Sequence, residues 1–329
     1  MDQHELEALY RTQLRPALDA FTRGVRERLA SLTRLAVFLV PAGVLASFAL
    51  YRQMPDNNLV FTPFALVFAY LLLRLLRLRR GYRDHFKREV IAPIVERVDA
   101  RLRYDPTGSI TPEELSASSF FECAPDAFDG EDLVVGRVGE TALRFSEVEA
   151  KGRPSGPSQP NPRVTLFKGF FIIAEFERTF RGTTVVLPDT DEPLLRHIAH
   201  TLQPATSPRG AMVELSDREF ERLFAVYTDD EREARCILST SLVERIMRFR
   251  RRTGQTVCLS FSGPRACIAI PSQRDRFEPP DPVAVRNLDA APRVERMLLE
   301  NLQAYIDDLR LGVDLVGELN ANSGIWDEG

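Results

Sequence analysis

The sequence predicts an α+β protein: an N-terminal two-helix transmembrane hairpin with a helical stalk, followed by a mainly antiparallel sheet domain with packed helices. Three observations predict it. Two early runs are apolar and almost free of charge, the chain beyond residue 104 breaks into short strands alternating with amphipathic helices, and the charge divides between these parts. Lys plus Arg against Asp plus Glu stands at 17 to 10 over residues 1–103 and 26 to 37 over residues 104–329, about +7 and −11 within a net charge of −4. A basic segment attached to an acidic domain marks a chain that meets an anionic surface, lipid or nucleic acid, at one end. With 329 residues, 44% of them hydrophobic, there is material for one sizeable domain plus an added segment. The boundary is expected near residue 103.

The first thirty residues are a charged helical pattern without an apolar centre, so no cleavable signal is expected there. Within them Leu6, Tyr10, Leu14, Leu18, Phe21, Val25, Leu29 and Leu32 recur at three- and four-residue steps as one apolar stripe. Residues 35–51, LAVFLVPAGVLASFALY, carry no charge, and a proline such as Pro41 is tolerated in a bilayer helix. The polar turn RQMPDNNL follows. The next run, VFTPFALVFAYLLL, has Thr62 as a natural N-cap and Pro63 as a natural first helical residue.

From Pro63 to Leu73 this second helix covers only about half of the roughly 30 Å hydrocarbon core at 1.5 Å per residue. It is therefore expected to continue to about residue 78, taking in Arg74 and Arg77, which cost little near a membrane surface where their stems snorkel. Arg74, Arg77, Arg79, Arg80 and Arg83 then form a collar at the headgroups, in contact with anionic lipid. Arg26, Arg28 and Arg34 flank the first span on the same side, against Arg52 alone in the turn. The positive-inside rule puts both termini in the cytoplasm. The alternative is a hairpin buried in a soluble core or lying in one leaflet. After the second span, Tyr82, Phe86, Val90, Ile94, Val98 and Leu102 make a stripe of matching length, which pairs with the first as a stalk; the alternative places the first stripe on the membrane surface.

From Tyr104 the pattern changes. Thr111 with Glu114 reads as a capping box, and Ser216 with Glu219, and Thr228 with Glu231, repeat the device. LVVGRVG (133–139) and TALRFSEVEA (141–150) predict a strand pair. PSGPSQPNP (154–162) is a loop long enough to be mobile. RVTLFKGFFIIAEFERTFRGTTVVLPD supplies two or three further strands, with turn or bulge points at Lys168-Gly169 and Arg181-Gly182. TVCLSFSGPRACIAIP is the clearest hairpin. With its turn at Ser262 to Arg265, Val257, Leu259, Phe261, Ala266, Ile268 and Ile270 share one face, and Thr256, Cys258, Ser260, Cys267 and Ala269 the other. The small-residue face is expected under a helix, with Cys258 and Cys267 as packed thiols; a diagonal disulfide is the alternative. Leu242, Ile246 and Phe249 face the core before Gly254, and Val294, Leu298, Leu302, Tyr305, Leu309 and Val316 mark a long C-terminal helix.

Chemistry-bearing constellations are few. The four cysteines lack zinc-like or redox CxxC spacing, which fits a reducing compartment. His197 and His200 lie three apart on one helical segment, a spacing open to a shared metal or to two solvent-facing imidazoles. Asp189 with Asp191, and Asp229, Asp230 and Glu231, suit either carboxylate chemistry or helix capping, since each cluster precedes a helix. RFRRR (248–252) reads as a helix end pairing with Asp229, Asp230 or Glu233 rather than a nucleic-acid site, because the surrounding domain is acidic. There is no GxSxG elbow, no phosphate-binding glycine loop and no Cys-His pattern. No cofactor, no resident metal and no nucleic acid are expected.

The strings GEDLVVGRVGETALRFSEVEA, FKGFFIIAEFERTFRGTTVVLPD and FERLFAVYTDDEREARCILSTSLVERI, followed by SF, IAIP and FEP, resemble the bacterial family filed as domain of unknown function 3137, over roughly residues 85–280. The resemblance implies two membrane spans ahead of a cytoplasmic domain, an inner-membrane location, and a partner of the LemA type in the same membrane. It carries over no catalytic residue, and Cys236 stands where relatives tend to have an aromatic. The functional expectation is a membrane protein whose domain serves as a non-enzymatic scaffold or interaction module. The alternatives are a membrane-anchored metal-dependent hydrolase and a lipid-binding domain.

Overall fold

The computed structural model describes residues 15–54, 57–121, 123–153, 163–189, 211–213, 217–272 and 291–322, with Thr12, Leu215 and Ile325. It divides into two units, one of residues 1–91 with 278–301, the other of residues 92–277 with 302–329.

In the first unit, helix α1 (Arg15–Gln53) runs through Pro41 without a break. A 3₁₀ turn (Asn58–Phe61), opened by Asn57 accepting from the Leu59 amide, leads into α2 (Thr62–Phe86). Thr62 does not cap α2: the turn runs directly into the helix, so Thr62 already has helical dihedrals and no side-chain cap forms. Pro63 lies in the first turn, where its missing N–H costs nothing. The two helices meet closely at Gly43, where a Cβ would stand 3.2 Å from Val67 Cγ2 and 3.5 Å from the Phe64 backbone. A π turn (Lys87–Ile91) follows α2. Tyr82, Phe86 and Val90 of the second apolar stripe are buried. The partner stripe from Leu6 to Phe21 lies mostly outside the described residues.

The second unit opens with α3 (Ala92–Val98), where Ile94 is buried. The strands β1 (Arg103–Asp105), β2 (Ala127–Val138), β3 (Thr141–Gly152), β4 (Val164–Glu175), β5 (Thr184–Pro188), β6 (Ala211–Val213), β7 (Phe224–Thr228), β8 (Cys258–Ser262) and β9 (Arg265–Pro271) form one sheet. Among the described residues its order is β1-β2-β3-β4-β9-β8-β5-β7-β6, and every pairing is antiparallel. Among the described residues the sheet does not close, and β1 and β6 are its edges. The β8–β9 hairpin turns at Gly263-Pro264, with Gly263 at φ +54° and Ser262 opposite Arg265, the register expected from the alternating faces. A register shift at Ala150/Lys151 puts the bulge of β4 near Leu166 rather than at Lys168-Gly169.

One sheet face is covered by a segment containing α4 (Pro112–Ser116), which opens with the Thr111/Glu114 capping box. Leu115, Phe120, Phe167, Phe171, Cys258 and Cys267 form its core, with Phe120 edge-on to Phe171 at 6.0 Å. Small side chains on β8 and β9 leave room for this layer, and Ser260 donates to the Ser118 carbonyl. The opposite face carries Phe145, Phe170 and Ile172, met by Tyr305 and Gly312 of α8 (Ala291–Ala321). Beyond β7 come α6 (Glu231–Ile237) and α7 (Thr240–Thr253), preceded by the short α5 (Arg218–Glu221). Arg245 reaches Glu318 at 2.9 Å and Arg252 reaches Asp307 at 3.2 Å, so α7 lies beside the C-terminal half of α8.

Two cap assignments differ from the sequence pattern. Helix α6 is capped by Asp230, whose carboxylate accepts from the Glu233 amide, while Thr228 instead bonds the Asp230 amide. Helix α5 is capped by Asp217, which accepts from the Glu219 and Phe220 amides, while Ser216 lies outside the described residues. At α6 a carboxylate two residues beyond Thr228 accepts the amide hydrogen bond more strongly than a hydroxyl would.

Candidate functional site

In the first unit the distinguishing feature is an uncharged belt on a pair of helices that leave it uncovered. Both are long and apolar enough to cross a membrane, and only 6% of the most apolar stretch of each is buried. Phe38, Leu45 and Phe48 of α1 and Leu66, Phe68 and Leu73 of α2 are all more than half exposed. Leaving such side chains in water forgoes about 1.5–3 kcal/mol each. The close approach of Gly43 to Pro63, Phe64 and Val67 sets the antiparallel register, which brings Arg34 level with Arg74 to Arg77. The uncharged run between Arg34 and Arg52, residues 35–51, is seventeen residues, or about 25 Å of helix, close to the thickness of a hydrocarbon core.

The sequence-predicted interface residues Arg34, Arg74, Arg77, Arg79, Arg80 and Arg83 are all exposed. The Arg74 guanidinium sits over the Tyr70 ring at 5.4 Å. Arg34 turns back one helical turn, donating to the Ala30 carbonyl and to Ser31 Oγ at 3.4 Å each. That direction leads away from the uncharged belt.

In the second unit a cavity of about 850 Å³ opens between the residues before α5 and the junction of α6 with α7. Leu215, Leu238 and Val243 give it an apolar floor, and Arg218, Arg235, Ser239 and Thr240 a polar rim. Arg235 is paired with Glu231 at 2.7 Å, and Ser239 Oγ caps α7 by accepting from the Leu242 amide. The sequence carries no signal for this cavity, because its walls come from two stretches, 215–219 and 235–243, that the fold brings together.

The carboxylates singled out at 229–231 are used structurally. Glu233 accepts from the amides of Arg181 at 2.8 Å and Gly182 at 2.9 Å, and Asp229 from the Thr183 amide at 2.6 Å. Together they fasten the turn before β5, and a Cβ at Gly182 would collide with the Asp229 carboxylate. These acids are therefore not the partners of the RFRRR run. Arg248 pairs with Glu244, Arg251 with Glu219 and Arg252 with Asp307, while Arg250 bonds Thr256 and lies over Phe224. Phe249 is core. Asp189 is exposed at the end of β5, its amide bonded to the Leu223 carbonyl. Asp191, His197 and His200, like the loop 154–162, lie outside the described residues. Among the described residues no three His, Cys, Asp or Glu side chains are placed to hold a metal ion.

Two buried polar features had no sequence signal. Asp132 sits in the bulge of β2 at φ +62° and accepts from the Tyr104 hydroxyl. Burial raises the Tyr104 phenol, and the Asp132 charge and hydrogen bond raise it further. Tyr305 is raised by burial too, with Asp132 and Glu147 adding to the effect. Cys258 and Cys267 are unbridged, and burial pushes each thiol up to about 12. They are packed thiols, not nucleophiles.

No curated protein matches the chain in sequence. Among solved structures, the crystal structure of the mycobacterial trehalose monomycolate transport factor A, TtfA, is similar at a TM-score of 0.33 and 11% identity, covering 69% of this chain and 97% of that one. Within the sheet unit and the C-terminal helix, residues 165–321 match the family model described as Protein of unknown function (DUF3137).

Proposed function

We propose that this chain is an integral membrane protein, crossing the bilayer twice through α1 and α2, with both ends and the sheet unit on the cytoplasmic side of a bacterial inner membrane. The observation that carries this reading is the exposed, uncharged belt: about 25 Å deep, bounded by Arg34, Arg74 and Arg77 on one side and by Arg52 and the polar turn on the other. Water is a poor solvent for such a surface and hydrocarbon a good one. The excess of arginine at the open end favours the cytoplasm for that end.

The sheet unit acts as a non-enzymatic scaffold or interaction module, its partner a second protein of the same membrane, of the LemA type by the family resemblance. The support is the structural use made of its conspicuous carboxylates and thiols. Reporter fusions test the topology. A reporter at the 54–57 turn should read as periplasmic and one at the C-terminus as cytoplasmic; replacing Arg74, Arg77, Arg79, Arg80 and Arg83 by Ser should scramble or invert the pattern. An unchanged topology would remove the basis of the orientation.

A further inference from the structure

The seam between α1 and α2 fixes which heights of the two helices correspond. Gly43 meets Phe64 at one end of it, Leu32 and Leu75 are partly buried further along, and Val25 and Tyr82 are buried beyond them. Taken as antiparallel partners, the two residue numbers in each of these pairs add to the same value, as two helices of equal rise require. Gly24 and Gly81, each one residue before a buried seam position, therefore lie within about 3 Å of the same height.

A glycine inside a helix either serves packing or weakens the helix. Gly43 serves packing, since a Cβ there would stand 3.2 Å from Val67 Cγ2. Gly24 and Gly81 do not: among the described residues nothing lies within 4 Å of the place where a Cβ would stand on either. Each is about five-fold less favourable to helix than an alanine, so one cross-section of the hairpin is weakened in both helices at once. Both glycines also lie outside the uncharged belt, Gly24 ten residues before Arg34 and Gly81 four after Arg77. There water can take up the backbone groups that a bend sets free. Hydrocarbon offers no such partner, and within the belt α1 runs through Pro41 unbroken.

We propose that Gly24 and Gly81 form a paired hinge just outside the bilayer, at which the hairpin bends so that the chain beyond it changes its tilt to the membrane. The hinge rests on the reading that the hairpin crosses the bilayer. A glycine in one helix alone would leave the other as a splint, whereas a pair at one height frees both. A tethered interaction module gains from this a range of heights at which to meet a partner in the same membrane.

The full-length protein, carrying a donor dye on a C-terminal tag, is reconstituted into nanodiscs of phosphatidylglycerol and phosphatidylethanolamine that contain an acceptor-labelled lipid. Single-molecule energy transfer then reads the spread of distances between the tag and the bilayer. In G24A/G81A the spread should narrow, and exchange of the amides just after both positions should slow about five-fold. Gly317 of α8 also has nothing within 4 Å of its Cβ position, so G317A is a like substitution in a helix outside the hairpin and should leave the spread unchanged. A spread unaltered in G24A/G81A, or narrowed equally by G317A, would overturn the hinge while leaving the crossing intact. Failure of the unsubstituted protein to enter the nanodiscs would overturn the crossing and the hinge together.

Discussion

Cys258 and Cys267 show how burial changes the chemistry of a residue without any partner. Both lie on the small-residue face of β8 and β9, beneath Leu115 and Phe120, and burial raises each thiol from 9.0 to about 12. The folded state thus favours the protonated thiol. Its contribution to stability is complete below about pH 9 and is lost as the pH rises towards 12, because the unfolded chain gives up these protons first. In denaturation at stepped pH, the stability advantage of the full-length protein over C258A/C267A should shrink as the pH rises above 9. A constant difference across that range would count against the buried-thiol assignment. The same residues should resist alkylation in the native protein at pH 8, while Cys123 and Cys236, which are only partly buried, react first.

At the scale of elements, the contact of α8 with the sheet depends on an absent side chain. A Cβ on Gly312 would lie 2.5 Å from Phe145 Cε1 and 3.1 Å from Ile172 Cδ1, so the helix approaches β3 and β4 more closely than any larger residue allows. Gly312→Val should therefore destabilise the protein by about 1–3 kcal/mol through overpacking, read as a lowered denaturation midpoint. A midpoint unchanged within error would mean that α8 does not pack here. Element-scale features were also the most legible in the sequence where the determinants are local. The Thr111/Glu114 box and the Ser262–Arg265 turn depend on neighbours within four residues, and both form as the pattern dictates. The cap of α6 falls on Asp230, two positions beyond Thr228, because the carboxylate is the stronger acceptor for the helix amide.

At the scale of the whole molecule, a basic hairpin and an acidic sheet unit share one chain. An interaction module of this design should retain a stoichiometric partner through residues 104–329 when the full-length protein is purified from gently solubilised membranes. A hairpin-only control should lose it. Recovery of the protein alone would favour a ligand in the cavity lined by Arg218, Arg235 and Ser239.

By itself the sequence determined the uncharged belt, its arginine boundary, the α+β class and the faces of the β8–β9 hairpin. Each of these is written in the period or the charge of consecutive residues. Only the tertiary structure decided that Glu233 and Asp229 fasten the 181–183 turn, that Arg251 and Arg252 of α7 find Glu219 and Asp307, and that Asp132 is buried beneath Tyr104. Those partners lie up to 55 residues apart in the chain. The physical reason is that charge pairing between distant segments depends on which strands become neighbours, and the strand order β4-β9-β8-β5-β7 is set by the packing of the whole sheet.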